Sequence, residues 1–382
     1  MKIFLSFLQS DHQYPIPAYS FWQYYIKNGI TEAGHNWVEN KEADWALGLV
    51  PKPGEEQERW KLETWEKTVK WLKNTGVDLF LSYLHPLQID IDAIKQIKDL
   101  GIPCVNFFCD NIRYFKKAPA EFEPFDLNWV PEYKALSMFE QAGYPYLNLP
   151  MPMWVAPPDR VLREETNRQA SFIGSKDVQR LLFFESIVQK DPQIPLAIYG
   201  KGWDEDLFLS APQSIGFAMN KKMVNQYSFI KSNGLVPYFR KLKQRNGNTV
   251  ISPALKSKIY GSIDFEAYNQ LTAQSMITLG INRYPSYRFP LKRPDTYSRL
   301  RDIEAPMLGS CYMTEYTEGI ENLYDLENEI AVFTNEDDFI EKVNELRSDR
   351  KKRKKLKING QKRALNDHSI GRSLNQLFAK LY

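Results

Sequence analysis

The chain has 382 residues, of which 43% are hydrophobic and 25% are charged, and its formal net charge is +3. These values exclude a disordered or fibrous protein and leave room for two sizeable hydrophobic cores. So small a net charge gives no argument for nucleic-acid binding, and the three cysteines follow neither a disulfide nor a zinc pattern. We therefore expect a cytoplasmic protein in a reducing environment.

The first half of the chain alternates apolar runs with amphipathic segments. The opening run, residues 2–8, is too short for a membrane span and lacks a signal-peptide cleavage pattern, so it predicts a buried strand. The elements predicted after it are, in order, the helices "YSFWQYYIKNGITEAG" and "EEQERWKLETWEKTVKWLKNTG", the strand "VDLFLSYL", the helix "IDAIKQIKDLG", the strands "IPCVNFF" and "LNWV", and the helix "YKALSMFEQAG". In the second helix, Leu62, Trp65 and Val69 recur at helical spacing and predict one buried face.

A stretch rich in proline and then in polar residues, 148–168, predicts a linker between two domains. After it the alternation resumes with the strand "ASFIGS", the helix "DVQRLLFFESIVQK", the strand "PLAIYGKGW", the helix "FEAYNQLTAQ", the strand "MITLGIN", the helix "RDIEAPML", and the strands "CYMTEY" and "EIAVF". An apolar helical stripe over residues 370–381 ends the chain.

Apolar strands that alternate with helices predict a parallel sheet covered on both faces, here once in each half. We predict an α/β fold with a first domain at residues 1–155, a second at 168–365, and a final helix at 366–382. Open parallel sheets bind ligands outside the carboxyl ends of their strands, so two such domains create a cleft between them. This pattern is typical of a cleft enzyme.

Several strings of the second half resemble a known family. The strings are "SFIGS", "IYGKGW", "FEAYNQLTAQSMITLGIN", "RLRDIEAPMLGSCYMTEY" and the tail "DHSIGRSL". Together they resemble the C-terminal domain of GT-B glycosyltransferases, in particular the group similar to spore maturation proteins of the CgeB type. The resemblance implies the GT-B fold, with two Rossmann-like domains, a nucleotide-sugar donor held mainly by the C-terminal domain and an acceptor held mainly by the N-terminal one. It also implies that the final helix packs back on the N-terminal domain.

The activity that this resemblance implies is transfer of a sugar from a nucleotide-sugar donor to a hydroxyl of a glycan, a lipid-linked glycan or a protein. It implies a bacterial, metal-independent enzyme of the hexosyltransferase type in polysaccharide biosynthesis, with no cofactor and no nucleic-acid partner. Two alternatives share the fold. One is a nucleotide-sugar epimerase, and the other is a non-catalytic surface or spore-coat assembly protein that has lost the chemistry.

Glu304 is placed in a predicted helix, with Pro306 expected in its first turn. Helix N-termini attract phosphates, and a carboxylate beside them can accept hydrogen bonds from a ribose diol. Glu304 fits that ribose-binding role, and the alternative is that it only stabilises the helix dipole. In the resembling family the equivalent glutamate closes a motif that begins with an acidic residue eight positions earlier, where this chain has Thr296.

Cleavage of a glycosyl–phosphate bond leaves negative charge on a nucleoside diphosphate, and cationic side chains can stabilise that charge. The remaining donor-binding candidates are the turn Gly174–Ser175, then Lys176, Arg180, Trp203, Arg299 and Arg301. Arg180 and Arg301 are the preferred pair. The alternative for each cation is a solvated surface charge.

An attacking hydroxyl usually needs a base, placed at a strand end of the first domain. His85 ends one predicted strand and Asp110 ends another, while Asp11 and His12 follow the first strand. We take His85 and Asp110 as the catalytic candidates. Alternatively, each of the four caps a helix or bonds the backbone, and a retaining enzyme needs no such base.

Three charged segments leave alternatives open. The acidic run 204–206 has a metal-binding spacing but fits a polar loop better. The basic segment 219–258 is either a lid or acceptor contact, or a solvated insertion. The basic run 347–363 is either a peripheral contact with anionic lipid at the inner face of the membrane or a solvated helix face.

Overall fold

The computed structural model describes residues 1–14, 20–203, 251–284 and 294–382. Within these ranges the chain forms two parallel β-sheets, one in each half, so the predicted two-part α/β fold is confirmed. The acidic run 204–206 and the basic segment from 219 to 250 lie outside the described residues.

The first sheet has six parallel strands in the order β2-β1-β3-β4-β5-β6. Its strands are β1 Lys2–Ser6, β2 Asn36–Val38, β3 Leu79–Ser82, β4 Cys104–Phe107, β5 Leu127–Trp129 and β6 Tyr146–Leu147. The apolar runs became β1 and β3–β5, because central strands of a sheet covered on both faces bury every side chain. The sequence pattern missed β2, since this edge strand is short and exposes Asn36 and Trp37.

The helices of the first half largely follow the predicted periodicity. They are α1 Ser20–Glu32, α2 Gly54–Thr75, α3 Ile91–Asp99, α4 Asn111–Tyr114 and α5 Leu136–Ala142. On α2, Trp65 and Val69 are buried as predicted, but Leu62 is 62% exposed, so the prediction for Leu62 was wrong. The buried face of α2 is formed by residues that include Thr68 and Leu72, and Leu62 lies outside this face.

The second sheet has five parallel strands in the order β11-β10-β9-β7-β8. Its strands are β7 Asn167–Ile173, β8 Leu196–Tyr199, β9 Ser275–Gly280, β10 Tyr312–Glu315 and β11 Ala331–Phe333. The helices of this half are α6 Val178–Lys190, α7 Pro253–Lys256, α8 Phe265–Gln274, α9 Arg301–Met307, α10 Ile320–Leu323, α11 Glu336–Ser348, α12 Arg350–Asp367 and α13 Ile370–Leu381. All strands point the same way, so their carboxyl ends and following loops share one edge.

The last helix, α13, packs against α1 of the first half. Ile370, Leu374 and Leu377 belong to the hydrophobic core of the first sheet. The approach is close, because a Cβ atom added to Gly29 would lie 2.3 Å from the Cδ1 atom of Ile370. The chain therefore crosses back from the second half to the first between α12 and α13.

The basic helix α12 packs against the segment that connects the two halves. Arg353 is buried and pairs with Glu165 at 2.8 Å, while Lys357 donates to the carbonyl oxygens of Arg163 and Ala273 at 2.9 and 3.0 Å. Two cations of the run 347–363 thus stabilise the fold, and only the others remain for a solvated or lipid-facing surface. Across the described ranges, no helix is long and apolar enough to cross a membrane.

Replacement of Arg353 by alanine is expected to lower the free energy of unfolding by about 2 kcal/mol, because the Glu165 carboxylate loses a charged partner. The exposed neighbour Lys354→Ala is the matched control and should stay within about 0.5 kcal/mol of wild type. Chemical denaturation of both variants measures the difference. Equal stability of the two would contradict a structural role for Arg353.

Candidate functional site

Two glycine turns lie together at the carboxyl edge of the second sheet. The turn Gly174–Ser175 follows β7, and Gly200 follows β8 with φ of +139°. A Cβ atom at Gly200 would lie 2.3 Å from the Gly174 carbonyl oxygen, so only glycine allows this approach. The backbone of the two turns therefore lies at the carboxyl edge of the sheet with no side chain at Gly174 or Gly200 to cover it.

Trp203, a predicted donor contact, belongs to the core below these turns. Its indole N–H donates to the Gly174 carbonyl oxygen at 2.7 Å, and its ring packs near Phe172 and Phe184. Only 1% of Trp203 is exposed. Trp203 therefore has no open face for a ligand, and the prediction that it contacts the donor is replaced by a supporting role under the turn.

The preferred cationic pair, Arg180 and Arg301, meets around one aromatic ring. The guanidinium carbons lie 5.2 and 5.9 Å from the centroid of Phe172, which is the penultimate residue of β7. Arg180 also donates to the carbonyl oxygen of Ser175 at 2.7 Å, and Lys176 is buried in the same turn. The fold thus gathers the candidates of residues 174–180 with Arg301 at one place.

Glu304 is buried, and both oxygens of its carboxylate accept hydrogen bonds from tyrosines. Tyr25 of α1 donates to Oε1 at 2.7 Å, and Tyr268 of α8 donates to Oε2 at 2.5 Å. Burial, and then the nearby Glu304 charge, raise the pKa of both tyrosine hydroxyls, which therefore remain donors. Glu304 thus joins the two halves. The expectation that Pro306 lies in the first turn was wrong, since the helix already begins at Arg301.

Asp302, which the sequence pattern did not single out, organises the turn before α9. Its Oδ2 accepts from the Arg299 backbone N–H at 2.7 Å and the Ser298 hydroxyl at 3.0 Å. Its Oδ1 accepts from the hydroxyls of Tyr312 at 2.7 Å and Thr314 at 3.0 Å. Asp302 is 0% exposed, so this carboxylate fixes the backbone that carries Arg299 and the start of α9.

Asp110 of the first half lies within electrostatic reach of Arg299 of the second half. Arg299 donates to the carbonyl oxygen of Arg283 at 2.7 Å and lies over the ring of Tyr297. Burial raises the pKa of Asp110, and the guanidinium groups of Arg113 and Arg299 partly oppose this shift. Asp110 follows β4 by three residues, and its Oδ1 lies 3.9 Å from a guanidinium nitrogen of Arg113.

His85 follows β3, the strand next to β4. Its ring lies 4.9 Å from the ring of Phe108 and near that of Tyr114. Burial lowers the pKa of His85 to about 4, so the imidazole is neutral at pH 7. His85 and Asp110 therefore follow neighbouring strands, whereas Asp11 and His12 are exposed beyond the end of β1.

Glu132 is a buried carboxyl group that the sequence pattern missed. Its Oε2 accepts from the Asn111 backbone N–H at 2.6 Å, directly after Asp110. Burial raises the pKa of Glu132 to about 8, although this hydrogen bond acts in the opposite direction. Glu132 thus fixes the loop that carries Asp110. Its position three residues after β5 was the available signal.

In the part of the chain that the structure describes, no group of three or more His, Cys, Asp or Glu side chains could hold a metal ion. The charged groups brought together at the sheet edges are mainly guanidinium groups and single carboxylates. Such an arrangement can bind an anion and orient a hydroxyl group beside it.

Solved structures share this architecture over nearly their whole length. Anabaena HepE in complex with UDP covers 99% of this chain and 98% of its own, with a TM-score of 0.55 and 11% identity. A glycosyltransferase from Rickettsia africae covers 100% and 97%, with a TM-score of 0.54 and 9% identity. Sucrose-phosphate synthase from Thermosynechococcus elongatus covers 100% and 98%, with a TM-score of 0.53 and 13% identity. These similarities confirm the GT-B fold.

The sequence itself carries the family assignment. No curated protein matches the chain. The family described as "Glycosyl transferase-like" matches residues 179–379, which is more than half of the 382 residues. This region includes Arg180, Arg299, Arg301 and Glu304, while the resemblance to the CgeB type in particular stays a prediction. The chain belongs to the glycosyl transferase-like family and is a glycosyltransferase with the GT-B fold.

Proposed function

We propose that the chain transfers a hexosyl group from a nucleoside-diphosphate sugar to an acceptor hydroxyl. The observation that carries this proposal is the group of cations at the carboxyl edge of the second sheet, where Arg180 and Arg301 flank Phe172. A diphosphate has the charge that such a group attracts. The UDP in the HepE complex supports a nucleotide donor for this fold.

Cations and backbone groups stabilise the leaving group in this proposal. The charge that develops on the diphosphate is met by Lys176, Arg180 and Arg301 beside the turn Gly174–Ser175, and by Arg299, two residues before Arg301. A metal ion is then not required, so activity and binding should persist in EDTA. No cofactor takes part, since the nucleotide sugar is itself a substrate.

Glu304 accepts the ribose diol in this proposal. An ionised carboxylate has about four lone-pair sites, and the tyrosine hydroxyls of Tyr25 and Tyr268 use two of them. Two sites therefore remain for ribose hydroxyls without loss of the contacts already present. The bond to Tyr25 then connects donor binding to the first half.

The acceptor hydroxyl belongs on the side of the first sheet. Asp110 is the general base in this proposal, because its carboxyl group is half-buried beyond the end of β4 and has a raised pKa. His85 is neutral at pH 7 and lines the same edge from the next strand, where it orients the acceptor. The acceptor is a hydroxyl of a glycan, a lipid-linked glycan or a protein.

Calorimetric titration tests the donor site. UDP, GDP and their glucose and mannose derivatives are titrated in EDTA into wild type, Arg301→Ala and the control Arg168→Ala, which removes an exposed arginine of β7. We expect one nucleotide class to bind wild type and the control equally, and Arg301→Ala about tenfold more weakly (about 1.4 kcal/mol). Equal affinity of all three proteins would contradict the assignment of Arg301.

The same panel separates the alternatives. Wild-type protein that binds no nucleotide would contradict the transfer proposal and favour an assembly role. Release of nucleoside diphosphate only when an acceptor hydroxyl is present would support transfer. Conversion of the sugar without its release would identify an epimerase.

A further inference from the structure

Glu132 is a buried carboxyl group without a cationic partner. Only 1% of the residue is exposed, and its Oε2 accepts a hydrogen bond from the Asn111 backbone N–H at 2.6 Å. Within the described ranges, no lysine or arginine forms an ion pair with this carboxyl group, and its Oε1 is buried without a hydrogen bond. Burial of a charge is unfavourable unless the charge is paired, so this environment favours the protonated carboxyl group.

The titratable groups around Glu132 lie on segments that follow two strands. Cys109 and Asp110 follow β4, and Tyr284 follows β9 of the second half. Burial raises the pKa of the Cys109 thiol and of the Tyr284 hydroxyl, so both groups keep their protons at pH 7. Asp110 therefore supplies the negative charge that acts on Glu132, and this charge further disfavours ionisation of Glu132.

The cations near this cluster pair with other carboxylates. Arg113 lies 3.9 Å from Asp110, and Lys134 lies 3.5 Å from Asp295 of the second half. Neither forms an ion pair with Glu132. The raised pKa of Glu132, about 8, agrees with this arrangement, and the group holds its proton at pH 7.

We propose that Glu132 positions Asp110 as an uncharged hydrogen-bonding group, and that loss of its proton to solvent switches the enzyme off in alkaline solution. The inference rests on the proposed function, in which Asp110 is the general base. A protonated carboxyl group still accepts from the Asn111 N–H, and it adds no second negative charge beside Asp110. Glu132 is thus a positioning residue that acts through Asp110.

Ionisation of Glu132 would place two like charges on adjoining segments of the first half. Neighbouring carboxylates oppose one another's ionisation and titrate as a coupled pair. The new charge would also lie on a carboxyl group whose Oε1 is buried without a donor. The segments must then separate to let water reach Glu132, so Asp110 leaves the position in which the carboxyl group held it.

Glu132→Gln tests the uncharged role, because a carboxamide keeps the shape and the acceptor oxygen of a protonated carboxyl group but cannot ionise. The control is Glu140→Gln, an exposed glutamate on α5. Urea denaturation measures the free energy of unfolding of each protein over a pH series. Glu132→Met, also uncharged and of similar size, replaces the glutamine variant if that variant does not fold.

The pKa of Glu132 is about 8 in the folded chain against an ordinary value of 4.5, so its stabilising effect is present below about pH 4.5 and lost as the pH rises to about 8. We therefore expect the free energy of unfolding of wild type, relative to Glu132→Gln, to fall between about pH 5 and pH 8 and to stay constant above about pH 9. Glu140→Gln should show no such pH-dependent difference from wild type. A wild-type difference from Glu132→Gln that does not change with pH would overturn the proposal.

The positioning role is tested by the pH dependence of kcat. The nucleotide sugar of the panel that binds wild type most tightly is the donor, and methyl glucoside and methyl mannoside are the acceptors. One pH unit above a pKa of about 8 only about a tenth of Glu132 is protonated, so the wild-type kcat should fall about tenfold between pH 7 and pH 9. Glu132→Gln should lose less than about twofold over the same range.

Glu132→Ala separates positioning from charge. It removes the acceptor of the Asn111 N–H, so we expect kcat to be about tenfold lower than that of wild type at pH 7, with Glu132→Gln much closer to wild type. Equal alkaline losses in wild type and Glu132→Gln, or a glutamine variant as slow as the alanine variant at pH 7, would overturn the inference alone. If wild type turns over no nucleotide sugar, the proposed function fails, and the positioning role fails with it even where the stability series reports ionisation of Glu132.

Discussion

Replacement of Asp302 by alanine should lower the free energy of unfolding by about 4 kcal/mol, since the buried carboxylate accepts five hydrogen bonds, of which the four at 2.7–3.0 Å contribute about 1 kcal/mol each. The Thr314 hydroxyl would remain buried without this acceptor, and the Tyr312 hydroxyl would keep only its 3.3 Å hydrogen bond to Thr314. Denaturant titration followed by tryptophan fluorescence measures the change. We also expect weaker nucleotide binding, because the backbone before Arg301 loses its support.

Two further variants define the origin of that loss. Ser298→Ala removes only one of the five donors and should lower the free energy of unfolding by about 1 kcal/mol. Asp302→Asn keeps the side-chain volume but replaces one acceptor oxygen with a donor, so it should fall between the two. A loss below about 1 kcal/mol for Asp302→Ala would contradict the central role of this carboxylate.

Replacement of Glu304 by alanine should weaken nucleoside-diphosphate binding by about a hundredfold, or about 2.7 kcal/mol. The reason is that hydrogen bonds to a charged group contribute about 1.5–3 kcal/mol each, and a ribose diol can form two of them. Calorimetry with the nucleotide that binds wild type measures the effect. Glu304→Gln retains one acceptor oxygen and should give a smaller loss.

Tyr25→Phe is the matched control for Glu304. It removes one of the two protein hydrogen bonds to the carboxylate but leaves the charge in place. We expect nucleotide affinity within about threefold of wild type, since the freed lone pair stays available to the ligand. If Glu304→Ala lowers the melting temperature but not nucleotide affinity, the carboxylate only stabilises the helix and the tyrosine contacts.

Most of the fold could be predicted from the sequence because the central strands of both sheets are buried on two faces. Apolar runs such as "VDLFLSYL" therefore predicted strands correctly. The edge strand Asn36–Val38 has no such signature, since its first two residues are exposed. The prediction that Leu62 is buried was wrong for a related reason. Periodicity gives the spacing of the apolar residues on a helix, but it does not show which part of a long helix packs against another element.

Some residues of the candidate site could likewise be recognised in the sequence, and others could not. The place of residues 174–180 could be predicted, since a glycine turn and cations follow the strand end in the sequence itself, while their role and that of Arg301 in donor binding stay predictions. Trp203 could not be assigned, because its indole contacts a carbonyl 29 residues away. Asp302 and Glu132 were missed since their roles depend on partners that only the folded chain brings near.

The two points where the chain passes between the halves are themselves in contact. Residues 148–166 make the first crossing, and His368 between α12 and α13 marks the second. Gln361 of α12 donates to the Arg160 carbonyl oxygen at 2.7 Å, so the crossings lie side by side. Two adjacent tethers resist twisting and sliding of one half against the other. Rotation about their common line is the motion that they leave open, and it must break the Tyr25–Glu304 hydrogen bond that spans the halves.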